Sequence, residues 1–195
     1  MDDTRLVQLR RSLEVHAAQQ CERDAVTREA AVALLIRPRD QLELLMIKRA
    51  IHERDPWSGH MALPGGRRAA GDAELIDTAI RETGEEVGIT LVRDRDFVAA
   101  LDEVGPRTPR LPPIIISPFV FAVAPDATAT IDAREVEAAI WMPLAALRDE
   151  NAASEILIEL EGSPRAFPSL QYGEYVIWGL THRILTQFLD LTVGL

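Results

Sequence analysis

One cysteine, Cys21, is present, which excludes an internal disulfide and fits a reducing compartment. No activating base stands near it in sequence, so it reads as an ordinary helix position before it reads as a reactive thiol. Aromatic residues make up 5% of the chain, too few for a platform on which nucleic-acid bases would stack. Positive charge is short as well: 21 Lys and Arg face 31 Asp and Glu, and a net charge of −10 repels nucleic-acid backbone and anionic membrane. The longest apolar run, residues 112 to 124, is too short to span a bilayer, and the first twenty residues lack the apolar region of a secretory signal. The expectations are a cytoplasmic protein with no nucleic-acid or membrane partner, a monomer or homodimer acting on a small molecule. An acidic chain can still hold a polyphosphate, provided a divalent cation stands between the two.

What is there is an ordinary globular composition. Hydrophobic residues are 47% and charged residues 27% over 195 positions, which suits one domain spanning 1–195. Apolar spacing predicts a helix over residues 5–20, then strands over 30–38 and 42–49 joined by a short Arg39-Asp40-Gln41 turn. A short strand (60–64) precedes a glycine-rich segment (65–72). An amphipathic helix follows over about 72–87, stopped by Gly88. Strands are expected at 96–104, 114–124 and 136–143, with a proline-rich loop between the first two. A short helix, a hairpin around Glu161-Gly162-Ser163-Pro164 and a closing helix over about 174–191 complete the chain. This order predicts an α/β fold, a sandwich built on a mixed sheet with helices on both faces, plus an N-terminal and a C-terminal helix.

The helix at 72–87 breaks several local rules. On a wheel, Ile76, Ala79, Ile80, Thr83 and Val87 would face the sheet, while Glu82, Glu85 and Glu86 gather on roughly the opposite side. Like-charge neighbours at that spacing cost about 0.2–0.5 kcal/mol per pair, and the C-terminal half of a helix disfavours anions by roughly 0.3–1 kcal/mol each. Gly84 between them adds about 0.8–1 kcal/mol relative to alanine. Such clustered violations mark functional sites. A hard divalent cation, Mg²⁺ or Mn²⁺, would resolve the repulsion and bridge to phosphates. The bland alternative is a solvated acidic face.

The stretch R-E-T-G-E-E-V-G-I (81–89) resembles the second half of the Nudix box, G-x5-E-x7-R-E-U-x-E-E-x-G-U with U a bulky aliphatic; the whole box falls at about 65–89. Two departures stand out. Counted back from Arg81, the first glutamate should fall on Ala73, leaving Glu74 one residue late and Gly66 one residue early. Thr83 also replaces the aliphatic residue. The segment 48–66, KRAIHERDPWSGHMALPGG, together with Leu45 before it, is similar to the signature of the coenzyme A pyrophosphatase branch at Leu45, Arg49, Gly59, Ala62, Pro64, Gly65 and Gly66, with Ala50 and Leu63 departing from it. The closing I-W-G-L-T-H-R-I-L (177–185) is similar to the branch's C-terminal helix.

The resemblance implies a Nudix-like fold and Mg²⁺- or Mn²⁺-dependent hydrolysis of a nucleoside diphosphate linked to another group, with coenzyme A or an acyl-coenzyme A as the specific substrate. Nucleotide sugars, dinucleotides and dNTPs are alternatives, as is a non-catalytic sensor of a nucleotide metabolite. It implies Glu82 and Glu86 as metal ligands, Glu85 as a ligand or the water-orienting base, the Gly66 carbonyl as a further ligand, and Arg81 as the brace of Glu85. Glu135 reads as a general base or a solvated loop acid. Arg49, Arg107 and Arg110 are candidate phosphate clamps. His60 would contact substrate or pack against the helix, and Trp57 would stack on a base or anchor its loop.

Overall fold

The two aliphatic runs of the sequence pair as expected. β1 (Arg28–Pro38) and β2 (Leu42–Arg49) form an antiparallel hairpin with Ile36 opposite Leu44. Beyond that register the two strands part like the arms of a fork. β3 (Met61–Ala62) pairs with the far end of β2, and β4 (Gly65–Arg67) pairs with the first half of β1, so the segment 61–67 fills the fork. The structure, a computed structural model, describes residues 3–52, 57–105, 113–160 and 162–195.

β1 runs parallel to β6 (Ile114–Ala122), whose other edge carries the antiparallel β5 (Phe97–Ala100). β7 (Val136–Pro143) lines the outer edge of β2. The result is a seven-stranded mixed sheet. Alternate residues of its central strands enter two separate cores. On one face Ala31, Ala33 and Leu35 of β1, with Leu45 and Ile47 of β2, meet Ile76, Ala79 and Val87 of α2 (Leu75–Val87). On the other, Leu34, Ile36, Leu44 and Met46 meet α1 (Thr4–Glu14), α4 (Leu144–Arg148) and α5 (Gly179–Leu191). A sheet covered on both faces is why these strands read as unbroken hydrophobic runs. The α/β class and both terminal helices are therefore as expected, and none of the helices among the described residues is long and apolar enough to cross a membrane.

Some boundaries differ, each for a local reason. α1 ends at Glu14, so Cys21 lies in the extended segment after it, where its N–H donates to Glu103 Oε2 at 2.8 Å. The glycine-rich stretch is a strand, β4, because the open edge of β1 accepts it. Asp96 closes the short helix α3 (Arg93–Asp96), and β5 covers the start of the strand expected at 96–104, with Val104 bridging to Ile116. The hairpin of β8 (Ala153–Leu160) and β9 (Ser163–Tyr172) is joined by β10 (Tyr175–Trp178) in a second antiparallel sheet. The closing helix thus starts at Gly179 and not near 174; the Gly173-Glu174 turn folds Tyr175–Trp178 back onto β9.

Local chemistry places α2. A capping box joins Glu74 and Asp77 at its start. At its end Gly88 takes the left-handed conformation (φ 65°), and a Cβ there would press to 3.1 Å from the Thr130 carbonyl oxygen. Thr83, where the box has an aliphatic residue, is fully buried, its hydroxyl donating to the Ala79 carbonyl at 2.7 Å. Gly84, by contrast, is exposed, and a Cβ there meets nothing within 4 Å. Gly84→Ala should stabilise the fold by about 0.8–1 kcal/mol and raise the thermal midpoint by roughly 2–4 °C in calorimetry. An unchanged or lowered midpoint would show that this turn of α2 needs glycine for a reason other than space.

Candidate active site

The site begins with two consecutive glycines on β4. A Cβ at Gly65, whose φ is 153°, would lie 2.6 Å from Val32 Cα, so only glycine allows β4 this close to β1. The Gly65 N–H donates to Glu86 Oε2 at 2.8 Å. A Cβ at Gly66 would lie 2.6 Å from Glu82 Oε2, so the second glycine leaves the space that the Glu82 carboxylate occupies. β4 is thus wedged between β1 and the acidic side of α2.

That wedge buries what the wheel had placed towards solvent. Glu86 is only 2% exposed, because β4 covers it. Burial pushes its carboxyl up to about 8; the Gly65 N–H pulls down, Glu82 pushes further up and the Arg49 charge draws it back. Burial also raises Glu82, opposed by Arg81. Glu135 approaches from a separate element. Its carbonyl accepts the Ala50 N–H at 2.9 Å, anchoring the turn before β7 to the end of β2. Carboxylate oxygens of Glu82, Glu86 and Glu135 all lie within 4.8 Å of one another. At that separation two ionised carboxylates repel by roughly 3–4 kcal/mol at an effective dielectric of 20. Either a proton or a cation must relieve that repulsion, and a divalent ion fits the all-oxygen donor set.

Arg81 organises the exposed side of this group. Its guanidinium donates to Asp72 at 3.0 and 3.1 Å, to Glu82 Oε1 at 2.9 Å, to Glu85 Oε2 at 2.9 Å and to the Arg67 carbonyl at 3.2 Å. Asp72 also accepts the Ala69 N–H and the Thr78 hydroxyl, each at 2.8 Å, and Arg81 first, then these two donors, hold its carboxyl well below the usual range. Glu85 stays half exposed against Arg81, outside the Glu82–Glu86–Glu135 trio. Glu74 turns the other way, into the capping box and a 2.5 Å pair with Arg93. Counting back from Arg81 hid Asp72. Counting forward from Gly66 reaches it, because Gly66-x5-Asp72 keeps the box spacing and the extra residue falls after it.

The remaining candidates divide. Arg49 sits beside the trio, its N–H donating to the His60 carbonyl at 3.1 Å. His60 packs edge-on against Trp178 at 5.1 Å and Trp57 at 6.2 Å; Trp57 keeps 45% of its surface exposed. Arg107 and Arg110 lie outside the described residues.

The buried Glu86 makes a prediction for metal-free protein. The folded chain keeps the Glu86 proton up to about pH 8, whereas an unfolded chain releases it near pH 4–5, so stability falls as pH rises through that window. Glu86→Gln should match wild type near pH 4 in thermal unfolding with EDTA and become progressively more stable than wild type up to about pH 8, above which the difference levels off. A constant difference at all pH values would mean that Glu86 is not buried as a carboxyl.

Comparisons with known proteins identify the family. The NUDIX domain family matches residues 26–160. An uncharacterized Nudix hydrolase, NudL, of Enterobacter sp. (strain 638) is 32% identical over 168 residues, covering 86% of this chain and 84% of that protein. An uncharacterized protein of Schizosaccharomyces pombe is 41% identical over 119 residues, 60% of this chain; that match spans 36% of the yeast protein. Among solved structures, a MutT/nudix family protein from Enterococcus faecalis shares the fold at a TM-score of 0.61 and 16% identity, over 97% of this chain and 74% of that one. The chain therefore belongs to the Nudix hydrolase family.

Proposed function

We propose that this chain is a divalent-metal-dependent pyrophosphohydrolase that cleaves the diphosphate of a nucleoside diphosphate linked to another group. One observation carries the reading: three carboxylates from two separate elements converge within 4.8 Å, against a glycine cradle that a single Cβ would fill. Glu82, Glu86 and Glu135 would hold Mg²⁺ or Mn²⁺, with the Gly66 carbonyl as a further oxygen ligand. The metal would supply charge neutralisation at the phosphate oxygens and a lowered pKa for water.

The chain's own groups do the rest. Glu86 is held by the Gly65 N–H and by its burial under β4, which restrict where its carboxylate can point. Arg81 aligns Glu82 and Glu85 from one guanidinium and is itself aimed by Asp72. Glu85, the most exposed of the three glutamates, would orient the attacking water from the solvent side; Glu135 is the other acid that could accept its proton. Arg49 supplies positive charge beside the trio for a phosphate oxygen. Coenzyme A or an acyl-coenzyme A is our specific substrate reading, supported by the Arg49, Pro64, Gly65 and Gly66 matches to that branch's signature.

Coenzyme A, ADP-ribose, dinucleotides, nucleotide sugars and dNTPs should be assayed with Mg²⁺ and Mn²⁺, with products resolved by chromatography. Coenzyme A should yield a 3′,5′-bisphosphate of adenosine and a phosphopantetheine, and EDTA should abolish turnover. No turnover on any member would refute the enzymatic reading. Glu86→Gln should remove at least ~99% of kcat in a chain that still folds, on the scale of losing a group that acts in the transition state. A second test asks whether Asp72 or Glu74 is the acid that aims Arg81. Asp72→Asn should weaken Mn²⁺ binding by about 10–100-fold in calorimetry, as loss of an orienting partner does, while Glu74→Gln leaves it unchanged. The reverse ranking would make Glu74, not Asp72, the acid on which Arg81 depends.

A further inference from the structure

The turn that delivers Asp72 is itself held from outside the site. Arg68 stands at its start, just past β4. Its N–H donates to the Glu29 carbonyl at 3.0 Å, which carries the contact between β1 and β4 one residue beyond Arg67. Its guanidinium then reaches in two directions. Nη1 donates to Glu29 Oε2 at 2.9 Å, while Nη2 and Nε donate to the Ala73 and Asp72 carbonyls at 2.6 and 3.3 Å. The two ends of the turn are thereby clipped together, and inside it the Asp72 N–H donates to the Ala69 carbonyl at 3.1 Å. The additional residue of the loop falls after Asp72, so Arg68 fastens the main chain where this loop is longer than the box. From that turn the Asp72 carboxylate meets Arg81 at 3.0 Å.

Glu29 is fixed in turn. Its other oxygen accepts Arg23 Nε at 2.7 Å, and Arg23 also donates to both oxygens of Glu103 at 2.6 and 3.0 Å. Glu103 takes the Ser117 hydroxyl of β6 at 2.6 Å as well, and its side chain is only 7% exposed. Arg68 first, then Arg23, hold the Glu29 carboxyl below the usual range. A lone exposed ion pair adds little to a structure. Here each guanidinium answers several acceptors at once, and the series ends on a carboxylate seated against the sheet. We propose that Arg68, anchored by Glu29, is a positioning residue for the metal site: it sets the turn that aims Asp72 at Arg81 and, through Arg81, the Glu82 carboxylate. The proposal rests on the metal-dependent reading and extends its machinery to two residues that lie outside the acidic trio.

Manganese uptake tests this. Mn²⁺ would be titrated calorimetrically into wild type, Arg68→Met, Glu29→Gln, Asp72→Asn and the Arg68→Met/Asp72→Asn pair, each checked for fold by circular dichroism and kept well below its thermal midpoint. Methionine retains much of the aliphatic stem and loses every donor; glutamine retains the length of Glu29 and loses its charge. Arg68→Met should weaken Mn²⁺ binding about tenfold, the lower end of what losing a ligand's orienting partner costs, and Glu29→Gln should weaken it by a smaller factor. Added to Asp72→Asn, the Arg68 substitution should cost less than about twofold more, because a residue that acts through Asp72 then has nothing left to aim. A merely structural role would not produce that non-additivity. Should Arg68→Met not fold, Glu29→Gln alone and paired with Asp72→Asn reads the same coupling. Unchanged affinity in Arg68→Met or in Glu29→Gln, or losses that multiply in the pair, would each overturn the proposal. A wild type that takes up no Mn²⁺ is a different result, which removes the metal-dependent reading and this proposal with it.

Discussion

The structure depends on one buried carboxylate. Glu86 is held under β4 with a single backbone N–H close to its Oε2, in a place where its charged form is strongly disfavoured. Burying an acid in this way is costly, and large hydrophobic neighbours would have been easier to pack. Everything around it serves the burial. Gly65 lets β4 close down on β1, Gly66 leaves the gap that Glu82 fills, and the fork between β1 and β2 gives β4 an edge to pair with. A fold optimised for stability alone would have filled the same volume with leucine.

The second constraint is that one guanidinium answers several acids. Arg81 joins Asp72, Glu82 and Glu85, and its carbonyl contact to Arg67 ties the helix to β4. The acidic side of α2 therefore survives near the negative end of the helix dipole because a cation from its own middle turn spans it. Asp72 is the counterweight. It lies before the helix, so its side chain aims Arg81 from outside while Glu82 and Glu86 face Glu135.

Much of this was legible in sequence. The long strands show as Val-, Ile- and Leu-rich runs, α2 shows by its periodicity, and Gly88 marks its end. The Arg81–Glu82–Glu85–Glu86 spacing, being internal to one helix, fixes those side chains relative to each other. What escaped reading depended on contacts between elements. Glu86 looked solvent-facing because a helical wheel has no knowledge of β4. Glu135 looked like a loop acid because its approach to Glu82 and Glu86 follows from the β2–β7 pairing, not from any local pattern. Tyr175–Trp178 read as helix because its short apolar run carries no period of its own, and β9 decided its fate.

The Asp72 substitution shows how an insertion can be absorbed. The box spacing from Gly66 to its first acid is retained, and the additional residue falls between that acid and the helix. An aspartate has one methylene fewer than a glutamate, so it reaches less far and must sit closer to Arg81. The 68–72 turn supplies that proximity, since Asp72 accepts the Ala69 N–H and Arg68 donates to the Asp72 and Ala73 carbonyls. With the brace supplied from before the helix, Glu74 is released to cap α2 together with Asp77 and to pair with Arg93. The single glutamate of the usual box is thus replaced by two acids, one that aims the arginine and one that starts the helix.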